Sequence, residues 1–93
     1  MERRAHIEST LRNALEASHV EVVDESHLHA GHAGARSGGG HFRAVIVSTR
    51  FEGLGQVARQ RLVYGALERE MGGEIHALSL RTFTPEEWSA TSD

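Results

Sequence analysis

Across residues 2–17 the apolar side chains fall at Ile7, Leu11, Ala14 and Leu15, with charged groups between them. That i, i+4, i+7, i+8 spacing predicts an amphipathic helix with one face on a core. Val20-Glu21-Val22-Val23 is short and β-branched and predicts a strand. The strongest strand signal is FRAVIVS, residues 42–48. Between these two lies DESHLHAGHAGARSGGGHF, residues 24–42, too rich in glycine for regular structure. An antiparallel hairpin closed by a flexible loop over residues 26–40 is therefore expected.

Phe51-Glu52-Gly53-Leu54-Gly55 reads as a turn. Residues 56–71, QVARQRLVYGALEREM, place Ala58, Leu62, Val63, Ala66, Leu67 and Met71 on one helical face, and Gly72-Gly73 ends the helix. Residues 74–83, EIHALSLRTF, alternate with period two and predict a third strand. In that alternation His76 is in phase with Leu78 and Leu80, which assigns it to the core-facing set. Thr84-Pro85-Glu86-Glu87 joins a capping threonine to a proline and first-turn acids, the start of a short helix reaching Trp88. The tail SATSD, residues 89–93, is expected to fray. The order α-β-β-α-β-α predicts a two-layer α+β domain, a three-stranded sheet with helices on one face. It forms one domain over residues 1–93, with the ordered part at about residues 2–88.

Composition narrows the class. The chain has 93 residues and no cysteine, so disulfides, thiolate metal ligands and thiol nucleophiles are excluded. A reducing cytoplasm is the expected setting. No apolar run approaches the roughly 18 residues of a membrane span. The first residues mix charges of both signs and lack the order of a secretory signal, so a soluble chain with no membrane partner is expected. The net charge is −3 and all ten fixed basic side chains are arginine, which weighs against a dedicated nucleic-acid binder.

Candidate chemistry concentrates in the histidines. Four of the seven, His27, His29, His32 and His41, lie in the glycine-rich stretch. Closely spaced imidazoles suit metal binding, yet no zinc spacing is completed locally. From spacing alone a solvated connector is the default reading, with a self-contained divalent-metal site as the alternative. Gly34 to Gly39 has the glycine spacing of a phosphate loop, but Gly40 and His41 stand where lysine and serine or threonine belong. Gly31-His32-Ala33-Gly34 matches a G-x-x-G pattern, but it joins two strands where the nucleic-acid module needs two helices. Arg43, Arg50, Arg59 and Arg61 suit contacts to phosphates or an acidic partner, but plain solvation of a surface is the favoured reading. No Ser-His-Asp order, paired-carboxylate motif or nucleophile elbow occurs, so no catalytic residue is assigned and no enzyme is expected.

VEVVDES, HFRAVIVSTRFEG, RQRLVYGALEREMGG and IHALSLRTFTPEEW, in that order over nearly the whole chain, resemble the BolA family. The resemblance implies a KH-like fold of the second class. It also implies a heterodimer with a monothiol glutaredoxin and a bridged [2Fe-2S] cluster, to which the glutaredoxin cysteine and a glutathione thiolate supply sulfur. The implied role is cluster assembly or transfer, or iron-redox regulation. The family's histidine of the IHAL-type strand corresponds to His76. A second ligand comes from the loop, cysteine or histidine, shortly after the D-x-S block; that points to His29, with His27, His32 and His41 as alternates. The isolated chain is expected to be a monomer with no cofactor of its own. Imidazole ligation raises a cluster's potential and makes it sensitive to protonation, which suits a cluster that is handed on or sensed.

The family is also associated with transcriptional control, so a DNA-binding regulator using Arg43, Arg50, Arg59 and Arg61 is the alternative, with DNA as partner. Two departures stand out. Gln60 replaces a histidine found in many members, and the loop carries more glycine and histidine than the pattern needs.

Overall fold

The structure is a computed structural model that describes residues 2–26 and 40–91. Its elements are α1 (Arg3–Ala14), β1 (His19–Asp24), β2 (Gly40–Val47), α2 (Gln56–Ala66), β3 (Ile75–Phe83) and α3 (Pro85–Thr91), with a 3₁₀ turn at Thr49–Phe51. The sheet order is β1-β2-β3. β1 and β2 pair antiparallel, as the predicted hairpin requires, with Val20 opposite Ile46 and Val22 opposite Ala44. β2 and β3 pair parallel, joined through α2. A parallel pair needs such a crossover because a tight turn cannot reverse the chain twice.

One face of the sheet carries the core. Val20, Val22, Phe42, Ala44, Ile46 and Ile75 meet Ile7, Leu11 and Leu15 from the first helical segment and Val63 and Leu67 from the second. Ala14 and Ala58, assigned to the apolar faces from spacing, differ from that set: Ala14 is exposed, while Ala58 lies on the open side of α2. Arg59 takes the buried place on α2 instead, in phase with Val63 and Leu67 at i, i+4 and i+8.

The second helix stops at Ala66, five residues before the predicted end. From there a compact turn runs to β3: Met71 N–H donates to Leu67 O at 3.0 Å, and Ile75 N–H donates to Glu70 O at 2.9 Å. Gly72 sits at φ 85°, the left-handed region where a side chain would be strained. The glycine pair thus reverses the chain beyond the helix and does not cap it.

At the other end, Ser89, Ala90 and Thr91 belong to α3, so the tail is helical further than its composition suggested. This short helix sits at the end of the sheet. Its Trp88 stacks on His19, ring centroids 4.9 Å apart, and tilts against Phe83 at 5.3 Å. By strand alternation both partners point away from the α1 and α2 layer. No helix among the described residues is long and apolar enough to cross a membrane.

Candidate metal centre

The sheet register decides where His76 points. Gly40 pairs with Ile75, but His41 pairs with Ala77, so β3 carries one extra residue at that step. The extra residue is His76, and the arrangement is a β-bulge. A bulge breaks strict alternation. Ile75 is buried and Leu78 packs against the same core, while His76 is exposed. The assignment of His76 to the core-facing set is therefore corrected: the histidine is turned onto the other face, at an edge strand.

There it meets His41. The two rings lie with centroids 5.2 Å apart and planes tilted by 44°. Two imidazoles bound to one tetrahedral ion at about 2.0–2.1 Å hold their centroids about 5 Å apart, so the pair suits a shared metal. The donor chemistry also fits, since neutral imidazole is the commonest side-chain ligand for iron and zinc.

His41 is held by its backbone. Its N–H donates to Ser26 Oγ at 3.1 Å, and its carbonyl accepts from Glu25 N–H at 2.7 Å. Ser26 is fixed in turn, its N–H donating to Asp24 Oδ1 at 2.9 Å. The D-x-S block, read from sequence as a family marker, thus clamps the base of the hairpin next to His41. Gly40 completes the clamp, because a Cβ there would come within 2.8 Å of Phe42 Cζ. His27, His29 and His32, the first choice and two of its alternates for the loop ligand, lie outside the described residues.

The four arginines separate into different environments. Arg59 is buried and makes a fork with Glu87, Nη1 to Oε1 at 2.7 Å and Nη2 to Oε2 at 3.1 Å. It also donates from Nε to Leu54 O at 2.9 Å. This arginine is a structural strut, not a phosphate contact, which corrects its place in the nucleic-acid set. The carboxyl of Glu87 is held down at about 2 by the Arg59 guanidinium first and the Thr84 N–H second, and the guanidinium's own pKa is raised in return. Arg50 pairs with Glu16, and Arg43 lies 3.6 Å from Glu25. Arg61 is exposed beside Leu54, Val57, Ala58 and Leu62, which form a shallow apolar cleft with Val57 63% exposed.

Comparison with known proteins decides the family. The model of the BolA-like protein family matches residues 11–87. The chain belongs to the BolA-like family. It is 42% identical over 90 residues to the DNA-binding transcriptional regulator BolA of Escherichia coli, covering 97% of this chain and 83% of that protein. It is 42% identical over 88 residues to human BolA-like protein 1, covering 95% of this chain and 62% of the human one. Among solved structures, a bol-like protein from Babesia bovis superposes with a TM-score of 0.81 at 38% identity, covering all of this chain and 96% of that chain. The α+β class and the α-β-β-α-β-α order predicted from sequence are those of the BolA-like fold.

Within that fold, the bulge at His76 and the clamp at His41 are the features that spacing alone missed. One signal was present. Ile75 and Leu78, the apolar residues on either side of His76 and Ala77, are three apart where a regular strand face spaces them by two or four, and a one-residue slip is how a bulge is written in sequence.

Proposed function

We infer that this BolA-like chain is an adaptor that pairs with a monothiol glutaredoxin and shares a bridged [2Fe-2S] cluster with it. The observation that supports this most is the His41–His76 pair, two imidazoles on one face in a chain with no cysteine. His76 would be one iron ligand and an imidazole from the 27–41 stretch the other. His41 is favoured over His29 by its position beside His76.

The cluster supplies electron transfer and exchange of iron and sulfide with other proteins. The chain's own contribution is narrower. It presents two imidazole nitrogen donors, holds His41 through Ser26 and Glu25, and leaves the sulfur positions to the partner. An incomplete donor set of this kind suits hand-over, because no single chain closes the site. The apolar cleft of Leu54, Val57, Ala58 and Leu62 is the surface we assign to glutaredoxin docking. A cytoplasmic setting suits a partnership that depends on free thiols.

The test is to mix the chain with a monothiol glutaredoxin, glutathione, iron and sulfide without oxygen. A one-to-one heterodimer with visible absorption and circular dichroism distinct from the glutaredoxin alone is expected. A glutaredoxin spectrum that the chain leaves unchanged would refute the reading.

The DNA-binding alternative draws on the name of the Escherichia coli relative. Of the four arginines Arg61 alone has no carboxylate within ion-pair distance among the described residues, since Arg59 is buried against Glu87, Arg50 is paired with Glu16 and Arg43 lies 3.6 Å from Glu25.

A further inference from the structure

A second constellation lies in the helix layer, where α1 meets the turn between α2 and β3. His6 Nε2 is 3.0 Å from Glu70 Oε2 and 3.9 Å from Glu74 Oε2, and the three residues each offer a ligand atom within 4.8 Å of the others. The residues come from two stretches of chain, α1 and the connection between α2 and β3. His6 is on α1, Glu70 ends the turns after α2, and Glu74 leads into β3. The Gly72 reversal brings the two acids together, with Gly73 N–H and Ile75 N–H both donating to Glu70 O.

The charges there are unbalanced. The Glu70 side chain is only 11% exposed, and its ion-pair partner is an imidazole, charged only when protonated. Neither acid has an arginine within ion-pair distance among the described residues. Glu74 Oε2 is shut off from solvent and accepts no hydrogen bond among the described residues, although the rest of that side chain is partly exposed. A shielded carboxylate oxygen without a donor is costly unless a cation faces it.

We propose that His6, Glu70 and Glu74 form a binding site for a divalent transition-metal cation. One nitrogen and two carboxylate oxygens are a borderline-hard donor set that suits manganese, iron(II) or zinc. The separations of 3.0 and 3.9 Å bracket the edge of a tetrahedron around such an ion, which is roughly 3.3 Å for bonds of about 2.0–2.1 Å. The ion's two positive charges would cancel the two carboxylates. It would also staple α1 to the α2–β3 turn, so binding would stabilise the folded chain. The site lies on the opposite side of the sheet from the His41–His76 pair and needs no partner protein.

The test uses the full chain, labelled with ¹⁵N, and manganese(II) chloride as the only added metal. Paramagnetic broadening is expected first at the amides around His6, Glu70 and Glu74. Glu74→Gln should weaken that binding by about tenfold or more, because it removes a ligand charge while keeping the shape. Glu70→Gln is the second variant, and amide dispersion checks that each is folded. His41→Ala with His76→Ala should leave the broadening in place, which separates this site from the cluster site. Broadening confined to the region of residues 27–41 and His76, or broadening at His6 that survives both glutamine variants, overturns the proposal.

Discussion

The Arg59 guanidinium grips both carboxylate oxygens of Glu87, at 2.7 and 3.1 Å, and so ties the second helix to the last one. The same carboxylate accepts from Thr84 N–H at 2.9 Å, while the Thr84 hydroxyl accepts from Glu87 N–H at 3.1 Å. This reciprocal cap and the fork together fix the start of α3, and Thr91 Oγ1–H donating to Trp88 O at 2.8 Å closes its last turn.

The pH dependence of stability follows from this pair. Glu87 titrates at about 2 in the folded chain against an ordinary 4.5, a depressed value. Its contribution is therefore fully present above pH 4.5 and is lost as pH falls toward 2. Urea midpoints of the chain and of Glu87→Gln should differ by a constant amount above that window and converge below it. A difference that stays unchanged down to pH 2 would contradict the assignment.

Among the arginines, Arg59 should be the costly one to replace. Arg43→Met, Arg50→Met and Arg61→Met are surface changes, expected to shift stability by about 0.5 kcal/mol or less. Arg59→Met leaves the carbonyl of Leu54 without its side-chain donor and the Glu87 carboxylate with only the Thr84 N–H, and should cost several times that. Arg59→Lys should recover only part of the loss, because an ammonium cannot make the fork. Chemical denaturation of the four variants measures the ranking.

Gly40→Ala should act on both fold and site. The added methyl meets the Phe42 ring and Ser26 Oγ, and overpacking of this kind costs about 1–3 kcal/mol. The strain falls on the clamp beside His41, so cluster binding with glutaredoxin should weaken more than global stability does. Denaturation and reconstitution on the same variant compare the two losses.

Val57→Glu probes the docking cleft. Val57 is 63% exposed and lies outside the core cluster, so the thermal midpoint should move little. Affinity for the glutaredoxin should fall about tenfold or more if the cleft is the centre of the interface. Calorimetric titration reads this directly, and an unchanged affinity would move the interface elsewhere.

Much of this fold was legible in the sequence because burial follows period. Ile7, Leu11 and Leu15 read as one helical face and are buried, and FRAVIVS reads as a strand and forms most of β2, with Phe42, Ala44 and Ile46 buried. The misreadings share a cause: pattern reasoning sorts residues by polarity, and here geometry overrides it. Arg59 is polar yet buried because a distant carboxylate meets it. His76 keeps the strand's rhythm in sequence but loses it in space through one unpaired residue. The Asp24–Ser26–His41 chain of hydrogen bonds spans two strands and leaves no periodic trace. The choice of His29 rested on family resemblance, and that residue lies outside the described part of the chain.

The central claim is that His76 and His41 share a metal ion in a heterodimer with glutaredoxin. Anaerobic reconstitution of the heterodimer with the unaltered chain, His76→Ala, His41→Ala and His29→Ala, read by visible circular dichroism, tests it most directly. The account predicts that His76→Ala and His41→Ala each abolish the heterodimer's cluster spectrum, while His29→Ala keeps it. An unchanged spectrum in His76→Ala would contradict the claim outright; loss in His29→Ala with retention in His41→Ala would contradict the pairing seen beside the bulge.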